Sequence, residues 1–431
     1  MFDPFLSAIV LIVILSLCGL SVGIAMLCGS IVYLGLKGFD TSIAAETLLQ
    51  GLFSSYTLLA IPLFILAADL MNIGTLADKL LRFSQALVGR FRGGLGHVNI
   101  VSSLIFSGMS GSAVADAVGM GRIIINMMTK DGKYPAGYAA AITAASATIG
   151  PIIPPSIPMV LYALVSDQSI GYLFAAGMAP GLLMGAVLMA MNAWLARRRN
   201  FPVDDSIPLR EMPLVTFRAI PALMLPVILL GGIYGGVMTP TEAAAMAAFY
   251  ALAISVVIYR SVSVSQFYQT LLSSARSTAT VGVLIAGSLA FNYVVTRENV
   301  PDSLAAFMQQ FDLSQTGFLL AINLLFLLLG CIIDSGAILL IIVPIFIPTA
   351  QALGVDLVHF GVIVVMNAMI GLITPPYGLL LFIVANITRQ PVGSVVRYLF
   401  PFILALVAAL LFITFMPDFV LFLPRMLGYQ G

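Results

Sequence analysis

Apolar segments of membrane-spanning length recur along this chain, and they limit what it can fold into more than any other feature. A helix of about 17 to 25 apolar residues crosses a lipid bilayer. Only 9% of the residues are charged and the mean hydropathy is +1.09, whereas a soluble domain carries about 25% charge. The sequence therefore predicts an all-α polytopic membrane protein and excludes a water-soluble enzyme. Continuous candidate spans occupy 5–20, 21–36, 54–72, 171–196, 226–237, 240–259, 277–295 and 394–422.

The few charges exclude other classes of protein. The net charge is +1, and Arg197 to Arg199 is the longest basic run, so the chain has no predicted nucleic-acid surface. Cys18, Cys28 and Cys331 lie in apolar stretches without metal-site spacing and are interpreted as small core residues. The segment 5–20 lacks the positively charged flank of a signal peptide and is predicted to be a retained span.

Two further regions are apolar but interrupted. The first, 98–165, contains Gly108-Met-Ser-Gly-Ser112, Asp116 and Gly150-Pro-Ile-Ile-Pro-Pro155. The second, 317–388, contains Asp334-Ser-Gly336 and Gly371-Leu-Ile-Thr-Pro-Pro376. A displacement of 221 positions places Gly150 on Gly371, the first double proline on the second, and Pro180 on Pro401. We therefore predict two structural repeats, 1–210 and 222–431, joined by the polar linker Arg197 to Arg218.

The distribution of positive charges predicts the orientation. If the linker is cytoplasmic, tracing the helices outward leaves only Lys37, Arg297 and Arg425 of the 19 basic residues outside. This topology gives the repeats opposite orientations and places both termini on the outer face. Inverted repeats with broken helices are typical of secondary transporters, whose sites lie near the membrane midplane at the breaks.

Two polar segments precede the interrupted regions. Residues 76–92 are predicted to form a basic amphipathic helix on the cytoplasmic surface, and 298–312 its acidic counterpart outside. A plain surface loop is the alternative for both.

The breaks need a partner, because an unpaired backbone group at membrane depth costs several kcal/mol. Ser110-Gly111-Ser112 is interpreted as the tip of a re-entrant helical hairpin facing the Gly150 to Pro155 break. Hydroxyls and exposed carbonyls suit Na⁺, and the N-termini of half-helices favour a carboxylate. In the second repeat, Asp334-Ser335-Gly336 faces Gly371 to Tyr377. The alternative is a pair of kinks that serve packing alone.

Carboxylates inside the membrane are costly and are functional candidates. Asp334 either coordinates Na⁺ or caps a half-helix, and both roles remain open. Asp116 is predicted to have a structural role, capping the returning limb of its hairpin. Asp69 is interpreted as interfacial, and Glu242 is assigned to the N-cap region that follows Thr239.

Other polar groups point to no catalytic chemistry. Asn72, Asn292 and Asn367 are interpreted as structural. His97 and His359 are isolated, and the chain contains neither HExxH nor GxxxxGK[ST], which argues against metal catalysis and P-loop ATP hydrolysis.

Several long motifs resemble one transporter family. They include FSGMSGSAVAD at Phe106 to Asp116, ATIGPIIPPSIP at Ala147 to Pro158 and IGLITPPYG at Ile370 to Gly378, with AIPLFILA from Ala60 and RGGLGH from Arg92. They closely resemble the large membrane subunit of tripartite ATP-independent periplasmic (TRAP) transporters over nearly the whole chain. The resemblance implies a Na⁺-driven elevator importer of the bacterial inner membrane, with scaffold, arms and a moving domain.

The resemblance also implies domain boundaries. They are scaffold of repeat one, 1–75; cytoplasmic arm, 76–97; hairpin and broken helix, 98–165; helix and linker, 166–225; scaffold of repeat two, 226–296; periplasmic arm, 297–316; second hairpin and broken helix, 317–388; and C-terminal helix, 389–431.

Site residues follow in the same way. One Na⁺ is expected between Ser110-Gly111-Ser112 and Gly150, and a second between Asp334-Ser335-Gly336 and Gly371 with Thr374. The substrate is expected to contact the double prolines and the residues after them, which are Pro154, Pro155, Ser156, Pro375, Pro376 and Tyr377.

The implied partners are a small four-helix membrane subunit, a periplasmic substrate-binding protein and membrane lipids, without nucleic acid. The implied substrate is an organic acid such as a C4-dicarboxylate, sialic acid or a related sugar acid, and no residue selects among them. A stand-alone Na⁺/dicarboxylate symporter is the nearest alternative. An intramembrane enzyme using Asp116 and Asp334, or a channel, would be alternatives of a different class.

Overall fold

The computed structural model describes residues 3–54, 56–72, 76–203, 207–208, 210–259, 262–309 and 314–431. Within these ranges the chain is built of helices, and six of them are long and apolar enough to cross a membrane. The predicted all-α polytopic class is confirmed. Arg260, one of the charges assigned to the cytoplasmic side, and 310–312, the end of the acidic segment, lie outside the described residues.

The helices of the first repeat are α1 (Pro4–Leu17), α2 (Val22–Lys37), α3 (Ser42–Ser54), α4 (Ala60–Asn72), α5 (Leu76–Val88), α6 (Gly94–Ser110), α7 (Ala113–Val118), α8 (Met120–Thr129), α9 (Ala136–Ala147), α10 (Ile157–Ser166) and α11 (Ile170–Arg198). Those of the second repeat are α12 (Met212–Tyr234), α13 (Pro240–Ala253), α14 (Val264–Arg297), α15 (Val300–Gln309), α16 (Gln315–Gly330), α17 (Ser335–Ala337), α18 (Val343–Ala352), α19 (Leu357–Gly371), α20 (Leu379–Thr388), α21 (Val392–Phe415) and α22 (Pro417–Met426). Two π turns, Ile254–Ile258 and Ile338–Ile342, follow α13 and α17.

Several predicted spans differ from the observed helices, among them 54–72, of which α4 covers only Ala60–Asn72. The segment 277–295 belongs to the longer helix α14, and most of 226–237 belongs to α12, which begins at Met212 and ends at Tyr234. The helix α14 starts early because Ser263 and Gln266 form a capping box ahead of its polar first turns. The predicted span 394–422 is interrupted at Met416, since Pro417 favours the first turn of a new helix over the interior of an old one.

The predicted position of Glu242 is confirmed. Its side chain accepts a hydrogen bond from the Thr239 N–H at 2.7 Å, and the Glu242 N–H donates to the Thr239 hydroxyl at 3.3 Å. This capping box starts α13, with Pro240 in its first turn.

The two repeats share their helix order in the interrupted regions. The helix α19 starts 221 positions after α9, and α20 and α21 start 222 positions after α10 and α11. Each half therefore contains a hairpin, a helix that ends in a break, a short helix after the break and a long closing helix.

The segments assigned to the scaffold pack closely. Helix α2 lies along α14, and α4 lies along α13. A Cβ atom on Gly287 would lie 2.2 Å from the Gly23 carbonyl oxygen, so the backbones of α2 and α14 approach as closely as glycine allows.

Buried polar contacts hold the interior of each interrupted region together. In the first repeat, the Asn99 amide donates to the Thr143 hydroxyl at 2.6 Å, and the Ser146 hydroxyl donates to Asn99 Oδ1 at 2.9 Å. In the second repeat, the Asn367 amide donates to Asn323 Oδ1 at 2.7 Å. Partnered polar groups of this kind fix the alignment of packed helices inside a membrane.

Candidate functional site

The first hairpin turns at Gly111. Helix α6 ends at Ser110, Gly111 has a φ of +59°, and Ser112 is extended before α7 begins. A Cβ atom on Gly111 would lie 2.3 Å from the Pro155 carbonyl oxygen. Only glycine fits, because the position is left-handed and the hairpin tip presses directly on the double proline.

The break facing this tip is buried. It runs from the end of α9 to the start of α10, includes the cis Pro154–Pro155 bond, and Gly150 to Ser156 are all buried. A Cβ atom on Gly150 would lie 3.5 Å from the Ser112 carbonyl group. The structure therefore brings Ser110-Gly111-Ser112 and Gly150 together, as the sequence predicts.

Ser156 uses its hydroxyl locally. The hydroxyl donates to the Pro151 carbonyl oxygen and accepts from the Met159 N–H at 3.2 Å, which caps α10. The side chain is fully buried. Its neighbours Ile157 and Pro158, rather than Ser156 itself, line the cavity described below.

The second hairpin turns at Asp334. Its carboxylate accepts a hydrogen bond from the Gly336 N–H at 2.9 Å and is otherwise exposed. Of the two roles left open by the sequence, the structure shows the cap at the start of the helical run 335–352. The exposed carboxylate retains oxygen lone pairs for a cation.

The second break lies against its hairpin at two glycines. A Cβ atom on Gly371 would lie 2.5 Å from the Gly330 Cα atom. The Tyr377 N–H donates to the Cys331 carbonyl oxygen at 3.1 Å, and the Thr374 hydroxyl donates to the Ile370 carbonyl oxygen at 2.7 Å. The Pro375–Pro376 bond is cis, as in the first break, but both prolines and Tyr377 are exposed.

Both hairpin tips and both breaks meet at one cavity of about 210 Å³. Predicted site residues that line it are Gly111, Ser112, Asp334, Ser335 and Gly336. The remaining lining residues are mostly apolar and include two from the segment assigned to the scaffold: Ala113, Val114, Pro151, Ile157, Pro158, Leu161, Val281, Leu284, Met369, Leu372 and Leu379. The lining residues do not include the other predicted ligands, which are Ser110, Gly150, Gly371 and Thr374.

Helix N-termini surround the cavity. Helix α10, the run 335–352 and α20 all begin with residues that line it. Serine or aspartate side chains cap the first two, whereas Gly378 precedes α20 and provides no side-chain cap. The Leu380 N–H donates to the Leu372 carbonyl oxygen at 3.0 Å and the Leu381 N–H to the Gly378 carbonyl oxygen at 2.9 Å, so what this end offers an anion is the positive end of the helix dipole.

Asp116 is the site residue whose role the sequence misjudged. The cap of α7 is Ser112, whose hydroxyl accepts from the Ala115 N–H at 3.3 Å, so the predicted capping role of Asp116 is wrong. Asp116 is 1% exposed, and neither carboxylate oxygen has a hydrogen-bond partner among the described residues. The Ser103 hydroxyl lies beside it but donates to Ser146 at 3.1 Å.

The unpartnered state of Asp116 is costly unless a cation or a proton compensates it. Asp69 offers a contrast, because this half-buried carboxylate of α4 accepts a hydrogen bond from the Ser274 hydroxyl of α14 at 2.6 Å. The sequence signal for Asp116 was present, since a carboxylate in an interrupted apolar run is a functional candidate by default.

Comparison with known proteins identifies relatives over nearly the whole length. The family described as "Tripartite ATP-independent periplasmic transporter, DctM component" matches residues 9–419. The sialic acid TRAP transporter large permease protein SiaM of Vibrio cholerae is 40% identical over 95% of this chain and 96% of its own. The C4-dicarboxylate TRAP transporter large permease protein DctM of Pseudomonas aeruginosa is 40% identical, covering 92% and 90%. The 2,3-diketo-L-gulonate TRAP transporter large permease protein YiaN of Escherichia coli is 37% identical, covering 92% and 93%.

A solved structure shares the fold. The YdaH transporter of Alcanivorax borkumensis, whose crystal structure was described as having an unusual topology, superposes with a TM-score of 0.61. The match covers 86% of this chain and 88% of that one, at 16% sequence identity. At this identity the match supports the architecture alone.

Proposed function

The chain belongs to the DctM family of TRAP transporters, and from that premise we propose that it imports an organic acid across the bacterial inner membrane, driven by Na⁺. It is a multi-pass transporter subunit rather than an enzyme. In the proposed mechanism a domain built from the two hairpins and two breaks moves against the scaffold, as an elevator. A small membrane subunit and a periplasmic binding protein that delivers the substrate complete the transporter, and both termini are periplasmic.

One observation carries the proposal: both hairpins and both breaks contribute to a single cavity. A non-helical backbone at membrane depth is tolerated where it lines such a cavity. Helix kinks that serve packing alone would not be expected to line the same cavity. The convergence therefore favours a binding site at the interface of two repeats, as in secondary transporters.

The chemistry of the cavity supports a small organic acid. Among the described residues no lysine or arginine lines it, and Asp334 adds a negative charge. The substrate carboxylate would then lie at the positive dipole ends of α20, α10 and the run 335–352. The relatives are named for sialic acid, a C4-dicarboxylate and 2,3-diketo-L-gulonate, all organic acids, and we assign this chain the same substrate class.

Bound Na⁺ would offset the repulsion between the substrate carboxylate and the carboxylates of the protein. An anion beside Asp334, in a domain that also buries the Asp116 carboxylate, is favoured only when cations bind too. In the first repeat the proposed ligands are Ser110, Ser112, Gly150 and the orphaned carboxylate of Asp116. In the second repeat they are Asp334 to Gly336, Gly371 and Thr374. Coupling follows, because each ion lowers the free energy of binding the acid, and the acid that of binding the ion.

Uptake into proteoliposomes tests the proposal. The chain is reconstituted with its small subunit and assayed with C4-dicarboxylate, sialic acid and sugar-acid substrates, under inward or outward Na⁺ gradients, with and without the binding protein. We expect uptake only with an inward gradient and the binding protein. Uptake without the binding protein would indicate a stand-alone symporter, and uptake indifferent to Na⁺ would contradict the coupling.

A further inference from the structure

Two asparagines lie where the proposed scaffold meets the returning limbs of the two hairpins. Asn72 is the last residue of α4, and Asn292 lies in α14. Each is next to the break in the returning limb of its own repeat, Gly119 between α7 and α8, and Leu340 in the π turn between α17 and α18. The displacement of 221 positions places Gly119 on Leu340 and Asn72 one position past Asn292. The same contact therefore recurs in both halves.

The contact is closed in the second repeat. The Asn292 amide donates to the Leu340 carbonyl oxygen at 3.2 Å. Its own carbonyl oxygen is buried without a partner among the described residues. A cavity of about 150 Å³, lined by Asn292, Thr296 and Pro344, adjoins it. The side chain therefore has room to leave the hairpin without a clash.

The contact is open in the first repeat. A Cβ atom on Gly119 would lie 2.4 Å from Asn72 Oδ1, so only glycine allows the approach. That oxygen is buried and accepts no hydrogen bond within the described ranges. Helix α8 begins at Met120 without a side-chain cap. An acceptor without a donor thus lies beside helix N–H groups that lack a side-chain acceptor.

We propose that the two asparagines are alternating latches of the moving domain. Asn292 holds the state described here through Leu340, and Asn72 holds the opposite-facing state by accepting a hydrogen bond from the start of α8. The inference rests on the moving domain of the proposed function. Because the repeats are inverted, exchanging their local arrangements turns a domain that faces one side into one that faces the other. In that exchange the hydrogen bond between Asn292 and Leu340 breaks, and one between Asn72 and the start of α8 forms.

Distance measurements on the full complex test the latches. Spin labels are placed at Asp131, on the hairpin side, and at Val264, at the exposed start of α14, after the three native cysteines are replaced by alanine. The chain is assembled with its small subunit in lipid nanodiscs. We expect two distance populations, one for the state described here and one for the opposite-facing state. Asn292→Ala raises the ratio of the opposite-facing to the described population about threefold, and Asn72→Ala lowers it about threefold, as expected for the loss of one hydrogen bond within the membrane. The double variant restores the ratio of the unmodified chain.

The control is Asn126→Ala, which changes an exposed asparagine of α8 and leaves the ratio unchanged. Asn292→Gln displaces the amide while keeping it polar. It should shift the ratio in the same direction as Asn292→Ala, and it provides the test if the alanine variant does not assemble. Shifts in one direction for both asparagines, or two populations that neither variant alters, would overturn the latches alone. A single distance in the unmodified sequence, with and without Na⁺, would overturn the moving domain and the latches together.

Discussion

The two breaks share a motif but not an environment. Both contain glycine, three intervening residues and a cis double proline. In the first repeat the prolines and Ser156 are buried, whereas in the second the prolines and Tyr377 are exposed, Tyr377 by 58%. The local sequence therefore specifies the turn, and the helix that closes over it decides whether solvent or ligands reach it.

Glycines in the closing helix explain the difference. A Cβ atom on Gly177 of α11 would lie 2.3 Å from the Ile152 carbonyl oxygen, and one on Gly181 would lie 2.3 Å from the Ile153 side chain. With Pro180 aligned on Pro401, the matching residues of α21 are Tyr398 and Phe402. These rings pack against Tyr138 of α9, with centroids 6.2 and 6.0 Å away. Helix α11 thus covers its own break, and α21 does not.

The largest effect is expected at the buried carboxylate of the first repeat. Asp116→Asn should raise the Na⁺ concentration for half-maximal uptake roughly 10- to 100-fold, the range seen when groups that support a metal site are removed. Proteoliposome uptake against Na⁺ concentration measures it. The control is Asp69→Asn, since Asp69 of α4 accepts a hydrogen bond from Ser274 of α14. Equal Na⁺ dependence of the Asp116→Asn and Asp69→Asn variants would contradict a special role of the first repeat's buried carboxylate in Na⁺ binding.

The burial of the first break under α11 should depend on the glycine at position 177. Gly177→Ala places a methyl group against the Ile152 carbonyl oxygen, and overpacking of this kind costs about 1–3 kcal/mol. Denaturant unfolding of the purified chain measures the loss. Gly282→Ala in α14 has open space around its Cβ position, so its stability should stay the same or rise by up to about 1 kcal/mol. A Gly177→Ala variant as stable as Gly282→Ala would show that α11 does not enforce the burial.

A smaller effect is expected at the exposed carboxylate of the second repeat. Asp334→Ala removes the cap on the run 335–352, and the loss of a cap costs about 1 kcal/mol. It also removes one proposed Na⁺ ligand, so Na⁺ dependence should weaken, by less than in Asp116→Asn. The same uptake assay compares the two. Unaltered Na⁺-driven uptake in Asp334→Ala would remove this residue from the ion site.

The smallest effect is expected at the C-terminal end of α14, at a carboxylate that belongs to neither break. Hydrogen bonds from the Lys37 ammonium, at 2.8 Å, and from the Tyr33 hydroxyl hold the pKa of the Glu298 carboxyl below its usual range. A lowered folded-state pKa stabilises the fold above the unfolded value of about 4.3 and loses this contribution as pH falls through the folded pKa. The contribution of such a surface pair stays below about 1 kcal/mol.

Thermal unfolding between pH 6 and pH 3 checks this prediction. The unmodified chain should lose slightly more stability on acidification than Glu298→Gln, which has no carboxyl to protonate at this position. Na⁺ dependence of uptake at neutral pH should be the same in both. A variant that loses more stability than the unmodified chain would reverse the sign of the predicted linkage.

The sequence predicted the features that depend on local pattern. The Gly-x-x-x-Pro-Pro breaks, the glycine turn at Gly111 and the cap region at Glu242 each follow from backbone rules that operate within a few residues. Asp334 could be narrowed to two roles, and the structure shows its role as a cap.

What the sequence could not supply depends on packing between distant segments. Asp116 was predicted to be a cap because it follows Ser110 by six residues, but Ser112 caps that limb, and the Asp116 carboxylate is buried without a partner among the described residues. Ser156 and Tyr377 looked equivalent after their prolines, yet only the first is covered by α11. The early start of α14 was missed because its first turns are polar, and hydropathy alone does not register a capping box.

Equilibrium binding of radioactive Na⁺ to the purified complex tests the central claim most directly, namely that the first, buried break holds a cation through Asp116. The account predicts saturable binding to the unmodified complex, loss of the first-repeat component in Asp116→Asn, and retention of that component in Asp334→Ala. Saturable Na⁺ binding by Asp116→Asn equal in stoichiometry and affinity to that of the unmodified complex would contradict it.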